Sequence, residues 1–182
     1  MHIRQGWLQE ARHCPSPNFN ARPVELDIDL LVIHAISLPP CEFGSSAIVD
    51  FFSNQLDHDA HPYFAGIRDL RVSAHCLIKR DGELLQFVSF NDRAWHAGRS
   101  VFQGRTECND FSIGVELEGC DHQAFAARQY RTLAALTRAI QRCYPAITDA
   151  HIVGHSDIAP GRKTDPGPYF DWENYRNQVR KI

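Results

Sequence analysis

Three side chains that are far apart in the chain are of the types that hold a catalytic zinc ion. His34 ends one run of apolar residues, His155 ends another, and Asp165 lies in a Gly- and Pro-rich segment ten residues later. If the two runs are parallel neighbouring strands, both imidazoles emerge at the same edge of the sheet, where ligand sites commonly lie. Two imidazoles and a carboxylate would leave one tetrahedral position for water, which is typical of a catalytic zinc site.

Other histidine pairs leave this assignment open, because the chain has 10 histidines. His151 and His155 have the spacing of helical zinc ligands, but the β-branched residues between them favour a strand, in which that spacing covers roughly 13 Å. His58 and His61 lie in loop sequence and could pair, but they lack a nearby third ligand. Spacing alone therefore leaves the first set as one hypothesis, with ordinary surface or core histidines as the alternative.

A carboxylate and a lysine are candidates for the remaining chemistry. A strictly alternating segment puts Gly114, Glu116 and Glu118 on one face of a predicted strand. The glycine would let another group approach the backbone closely, and a half-dry cleft would raise the pKa of Glu116 to suit a general base. Lys163, in the loop of the candidate aspartate, could stabilise an oxyanion. The alternative is that both glutamates and the lysine face water.

The elements that must position these residues are typical of an α/β protein. We predict strands at 26–34, 73–79, 83–88, 111–119 and 151–155, helices at 47–52, 123–143 and 172–179, and loops at 54–71 and 91–110. Asp81-Gly82 is a hairpin signal between the second and third strands. Strands and helices interleaved at these lengths favour a mixed central β-sheet flanked by helices.

Length and composition limit the function classes. The 182 residues fit a single domain over 1–182, with residues 1–23 as an irregular leader packed on it. A net charge of -3 argues against a nucleic-acid or anionic-membrane partner. With no signal-peptide pattern and no apolar run of about 18 residues, we expect a cytoplasmic protein. Its six scattered cysteines are then expected to be free thiols.

Four segments together resemble those of the zinc-dependent N-acetylmuramoyl-L-alanine amidases, a family related in fold to the peptidoglycan-recognition proteins. The segments are 72–75 (VSAH), 93–98 (RAWHAG), 109–119 (NDFSIGVELEG) and 154–168 (GHSDIAPGRKTDPGP). The resemblance covers roughly residues 5 to 175. Each segment alone would be weaker support, but the combination is highly specific.

The resemblance implies an α/β fold of the peptidoglycan-recognition-protein and amidase type with one zinc ion per chain. It assigns the site residues as follows: His34, His155 and Asp165 bind the metal, Glu116 is the general acid/base, Lys163 stabilises the oxyanion, and Arg71 and Trp95 contact stem peptide and sugar. Asp157 is a candidate to orient a metal ligand. Ala35 and Glu107 depart from the family pattern as we expect it, which affects substrate contacts rather than the metal site.

The implied reaction is hydrolysis of the amide bond between the lactyl group of N-acetylmuramic acid, or its 1,6-anhydro form, and L-alanine of the stem peptide. The implied setting is cytoplasmic peptidoglycan recycling, with a small-molecule muropeptide as substrate and a monomeric enzyme. One alternative is an amidase, phage-encoded or exported, that acts on intact cell wall. Another is a non-catalytic module that binds muropeptides.

Overall fold

The computed structural model describes residues 1–24 and 26–181. The strands are β1 (Ile3–Arg4), β2 (Trp7–Leu8), β3 (Arg12–His13), β4 (Phe19–Ala21), β5 (Leu30–Ile36), β6 (Cys76–Ile78), β7 (Leu84–Gln86), β8 (Asp92–Ala94), β9 (Val101–Phe102), β10 (Arg105–Thr106), β11 (Ser112–Glu118) and β12 (Ile152–Gly154). The helices are α1 (Ala47–Phe52), α2 (Pro62–Ala65), α3 (Ala127–Cys143), α4 (His155–Ile158) and α5 (Trp172–Arg180). Two short 3-10 helices cover Cys108–Asp110 and Asp149–His151.

Six strands form the main sheet in the order β12-β5-β11-β6-β7-β3. Strand β5 pairs in parallel with β11 and β12, and β11 pairs in parallel with β6. The hairpin of β6 and β7 is antiparallel, as the Asp81-Gly82 signal predicts. The sheet is therefore mixed, and the predicted α/β class is confirmed.

Both faces of the sheet are buried, which explains the uninterrupted apolar run of β5. Leu31 and Ile33 belong to the core cluster that contains α3 and α5, whereas Leu30 and Val32 pack with residues of the 97–111 region on the opposite face. Helix α1 belongs to a further cluster with residues of β6 and β7. A strand that is covered on both sides needs apolar residues at successive positions.

Several predicted boundaries shift for local reasons. Helix α3 begins at Ala127 rather than at residue 123, because a turn closed by the bridge between Cys120 and Gln123 precedes it. The last strand ends at Gly154, whose N–H donates to the Asp157 carboxylate, so that His155 begins a helix instead of ending a strand. The first predicted strand begins only at Leu30.

The N-terminal segment is more regular than we expected from its sequence. It contains four short strands, of which β3 extends the main sheet at β7 and β4 pairs with β8. Leu8 is fully buried, and the Arg22 guanidinium donates to the backbone carbonyls of Phe90 and Ser112. The segment therefore packs on the rest of the chain and forms short strands.

Two of the six cysteines form a disulfide, which corrects the expectation that all are free thiols. Cys41 and Cys120 are 79 positions apart in sequence, and their Cα atoms are 5.5 Å apart. They meet because each follows the end of one of two adjacent parallel strands, β5 and β11. Cys14, Cys76, Cys108 and Cys143 are free.

The described helices include none with the length and apolar character that a bilayer crossing requires.

Candidate metal centre and active site

The three adjacent parallel strands β12, β5 and β11 place His155, His34 and Glu116 near one edge of the sheet. His34 on β5 is in register with Glu116 on β11, so both side chains lie on the same side of the sheet. On the other side of β5, Gly154 of β12 pairs with Ile33, which puts His155 just beyond the end of that strand. The predicted parallel arrangement of the two histidine-bearing segments is confirmed.

The side chains of His34, His155 and Asp165 converge on one point. The Nδ1 atoms of the two histidines are 3.0 Å apart, and each is 3.0 Å from Oδ2 of Asp165. Ligand atoms around a tetrahedral zinc ion are about 3.3 Å apart, close to the sides of this triangle. Both histidines are buried, at 1% and 3% exposure. His151, His58 and His61, which the alternative pairs would need, are not part of this cluster.

The Nε2 atoms of the two histidines, which point away from the centre of the triangle, have fixed partners. Nε2 of His155 lies 3.0 Å from the carbonyl oxygen of Ala97, which can only accept a hydrogen bond, so this nitrogen carries the proton and Nδ1 keeps its lone pair. Nε2 of His34 lies 2.9 Å from Nδ1 of His96, whose own Nε2 is 3.1 Å from Ser112 Oγ. The Nδ1 lone pair of His155 therefore points inward, and His96 Nδ1, acting as an acceptor, would orient His34 in the same way.

The electrostatics of the triangle fit a bound cation. Burial lowers the pKa of His34 to about 4, so its imidazole is neutral at pH 7. Burial acts to raise the pKa of Asp165, but the close contacts of its carboxylate with the His155 and His34 rings hold that pKa below its usual range. Three electron-pair donors at 3.0 Å repel one another unless a positive charge lies between them. Two imidazoles and a carboxylate are a donor set that suits Zn²⁺.

Glu116 is buried beside this centre, contrary to the alternative that it faces water. Its side chain is 8% exposed, and Oε2 has no hydrogen-bond partner among the described residues. Burial, followed by repulsion from Asp165, raises its pKa well above the ordinary value, while Lys163 acts in the opposite direction. A buried, unpartnered carboxylate is suited to take up and release a proton.

Glu118 is buried as well, but it has a structural role. Its two carboxylate oxygens accept hydrogen bonds from the backbone N–H groups of Gly44 and Arg80. The expectation that Gly114 allows another group to approach the backbone closely is confirmed. A Cβ atom at that position would overlap the His96 imidazole, so the glycine makes room for a histidine.

A cavity of about 480 Å³ opens over the triangle and Glu116. Lys163 and Trp95 both line it, and the indole N–H of Trp95 donates to Asn20 Oδ1, which fixes the ring. Arg71 is not among its lining residues, and its guanidinium donates to the carbonyls of Arg68 and Leu70. The apolar part of the wall comes from residues 38–72 and includes Leu38, Phe51, Phe52, Ile67, Leu70 and Val72.

Sequence reasoning missed the residues that orient the metal ligands. We proposed Asp157 for this role, but its carboxylate caps α4 at Gly154 and has no side-chain contact with a ligand among the described residues. His96 and the Ala97 carbonyl contact the two histidines instead. The available signal was the histidine in the RAWHAG segment, which we used for the resemblance but to which we assigned no role.

Comparison with known proteins places these observations in a family. The sequence profile of the N-acetylmuramoyl-L-alanine amidase family matches residues 24–168. The chain is 57% identical to the 1,6-anhydro-N-acetylmuramyl-L-alanine amidase AmpD of Escherichia coli K12 over 181 residues, covering 100% of this chain and 98% of the relative. It is also 57% identical to AmpD of Haemophilus influenzae, covering 98% and 97%.

Solved structures give the same result. A crystal structure of a selenomethionine derivative of AmpD superimposes with a TM-score of 0.96 at 57% identity, over 98% of this chain and 99% of that one. The Escherichia coli amidase AmiD, solved with the substrate anhydro-N-acetylmuramic acid-L-Ala-D-γ-Glu-L-Lys, superimposes with a TM-score of 0.60 at 28% identity, over 97% of this chain and 65% of that one. The fold around the site is therefore that of these amidases.

Proposed function

Because this chain belongs to the N-acetylmuramoyl-L-alanine amidase family, we propose that it hydrolyses the amide bond between the lactyl group of 1,6-anhydro-N-acetylmuramic acid and L-alanine of the stem peptide. The chain is a hydrolase that acts in peptidoglycan recycling, with a small muropeptide as its substrate. The observation that carries this assignment is the triangle of His34, His155 and Asp165 beside the unpartnered Glu116, at the base of an open cavity.

We assign one Zn²⁺ per chain to this triangle, held by the two Nδ1 atoms and the Asp165 carboxylate. When bound there, zinc would act as a Lewis acid toward the amide carbonyl and lower the pKa of a water molecule from about 15.7 to about 7. The buried, neutral histidines favour binding of a cation, because they add no positive charge of their own to the site.

Residues of the chain transfer the proton of the attacking water and stabilise the negative charge that develops on the carbonyl oxygen. Glu116 accepts the proton of the attacking water and delivers it to the departing amine of L-alanine. The Lys163 ammonium lies on the wall of the same cavity, where it stabilises negative charge that develops on the carbonyl oxygen. Trp95 offers an aromatic surface for the sugar ring.

The alternative activities fit the chain less well. The relatives named as 1,6-anhydro-N-acetylmuramyl-L-alanine amidases match over nearly their full length, whereas AmiD, which is named only as an N-acetylmuramoyl-L-alanine amidase, is 37% identical over 63% of this chain and 47% of its own length. A non-catalytic binding module would lack part of the ligand set, but this chain has three metal-binding side chains and Glu116.

Two substrates separate these activities. We expect the purified enzyme to release the stem peptide from a soluble anhydromuramyl tripeptide, detected by mass spectrometry, at least 100-fold faster than it releases peptide from cell-wall sacculi at equal bond concentration. Comparable rates on both substrates would favour the cell-wall amidase. Binding of the tripeptide by zinc-loaded protein without any cleavage would favour the binding module.

His96 gives a prediction about metal affinity. Its Nδ1 atom lies 2.9 Å from Nε2 of His34 and, as an acceptor, would keep the proton of His34 on Nε2, so we expect His96→Leu to weaken zinc binding by roughly 10- to 100-fold. His96→Asn, which keeps an acceptor near that position, should restore most of the affinity. Competition with a chromophoric chelator measures both variants. Equal affinity of the leucine variant and the unaltered protein would contradict this positioning role.

Several expectations from the sequence stay predictions. They include the single amidase domain over 1–182, the cytoplasmic location, the monomeric state, the absence of nucleic-acid and membrane partners, and the contact of Arg71 with the stem peptide. An Arg71 contact would require its side chain to leave the carbonyls of Arg68 and Leu70.

A further inference from the structure

Two loops that line the cavity are joined by the disulfide described above. The first rim loop, residues 37–46, follows β5 and contains Cys41. The second rim loop, residues 119–123, follows β11 and contains Cys120. Both cysteines line the cavity, together with Leu38 and Pro40 from the first loop and Asp121 and His122 from the second. The cross-link therefore forms part of the wall that a substrate contacts.

We infer that Cys41 and Cys120 form a redox modification site, which small disulfides such as oxidised glutathione oxidise and small thiols reduce. In this exchange a protein thiolate attacks the reagent disulfide and releases one thiol, and the second protein thiolate attacks the mixed disulfide and releases another. The two protein sulfurs lose two electrons and two protons in total, and the reagent disulfide takes them up as two thiols.

Access distinguishes this pair from the two buried cysteines of the chain. Cys41 is exposed and Cys120 is half-buried, so a small thiol reaches the bond from the cavity mouth. Cys76 and Cys108 are buried, and burial raises the pKa of both thiols, which suppresses their reactive thiolate forms. In a reducing compartment, an accessible disulfide is usually transient and serves redox sensing or catalysis.

The backbone around Cys41 indicates what reduction would change. Cys41 has φ of 61°, a left-handed conformation that is unfavourable for a residue other than glycine. The bases of the loops are held independently, because Gly44 N–H donates to Glu118 and Gly119 N–H donates to the Ile36 carbonyl. We therefore expect reduction to leave the fold intact and to free the tip of the first rim loop.

A freed tip must be ordered again when substrate binds, so the reduced protein should bind muropeptide more weakly. We expect a dissociation constant roughly 10-fold higher than that of the oxidised protein, which corresponds to about 1.4 kcal/mol. This part of the inference rests on the proposed function, since it takes the anhydromuramyl tripeptide as the ligand. The redox chemistry itself does not depend on that identification.

The test begins with a Cys143→Ser protein, which removes an exposed thiol outside the cavity. The protein is equilibrated in glutathione buffers of stepped ratio, quenched with an alkylating reagent and mapped by peptide mass spectrometry. We expect Cys41 and Cys120 to lose their alkyl labels together, in one step, as the buffer becomes oxidising. Continued labelling of both residues in excess oxidised glutathione would overturn the modification site.

Affinity is measured by calorimetry in the Glu116→Gln background, so that the tripeptide is not cleaved. We expect a higher dissociation constant after reduction. A Cys41→Ser/Cys120→Ser variant should have the dissociation constant of the reduced protein, whatever the redox state of the buffer. Equal affinity of the oxidised and reduced forms would overturn the effect on the cavity wall. If neither form binds the tripeptide, the proposed function fails, while the alkylation result still decides the redox site.

Discussion

The substitution Asp165→Ala is expected to abolish zinc binding and amide hydrolysis together. The carboxylate supplies one of three ligand atoms in a triangle whose sides are all 3.0 Å, and the two histidine nitrogens that remain would hold the ion poorly. The pKa change that zinc gives to water corresponds to about 12 kcal/mol. We therefore expect turnover to fall by at least 10⁴-fold, as measured by product mass spectrometry, with metal content measured on the same sample.

A pair of histidines four residues apart provides the matched control. His155→Ala should lose zinc as the Asp165 variant does, whereas His151→Ala should keep it, because the His151 ring contacts the Asp29 carbonyl outside the centre. Chelation of the unaltered protein should reproduce the loss of turnover, and added zinc should reverse it. Undiminished turnover in protein verified to be metal-free would contradict the assignment.

The substitution Glu116→Gln is expected to leave the zinc content unchanged and still slow turnover by 10²- to 10⁴-fold, the usual contribution of a general acid or base. The side chain keeps its size but cannot accept a proton. Because burial raises the pKa of Glu116, the unaltered enzyme should lose activity as the pH falls through that raised value, and the variant should lack this acidic limb. A pH–rate profile of each protein at constant zinc measures both effects.

Glu118→Gln is the control for burial and charge on the same strand. Glu118 accepts hydrogen bonds from Gly44 and Arg80 rather than facing the centre, so its loss should lower stability and leave the turnover of folded protein within a few-fold. Wild-type turnover in the Glu116 variant would remove Glu116 from its assigned role.

The same raised pKa has a consequence for stability in metal-free protein. The folded state holds the Glu116 proton to higher pH than the unfolded chain does, so the free energy of unfolding falls as pH rises from the unfolded pKa through the folded one. Glu116→Gln removes this loss and should be the more stable protein at pH 7, as measured by thermal unfolding after chelation. A difference in stability between the two proteins that is the same at pH 7 and at pH 4 would contradict a buried, unpartnered carboxylate.

The sequence alone was sufficient to predict those parts of the site that depend on local residue types and on the periodicity of a single strand. The apolar run before His34 and the alternation around Glu116 locate both residues on buried strands, and the hairpin at Asp81-Gly82 follows from turn chemistry. The convergence of His34, His155 and Asp165 needed the family resemblance as well, because spacing alone did not select His34 and His155 from the 10 histidines.

Contacts between distant segments could not be predicted in this way. The pairing of Cys41 with Cys120 depends on β5 and β11 being neighbours, and the contact of His96 with His34 depends on how a loop packs over the sheet. For Gly114, sequence reasoning identified a close approach but not its partner, since a missing Cβ leaves room equally for a ligand or for a neighbouring ring.

The most direct test of the central claim is a crystal structure of the zinc-loaded protein with anomalous data collected on both sides of the zinc absorption edge. We predict one anomalous peak per chain, within about 2.0–2.2 Å of Nδ1 of His34, Nδ1 of His155 and Oδ2 of Asp165. An ion bound elsewhere, or these three side chains directed away from one another, would contradict the account.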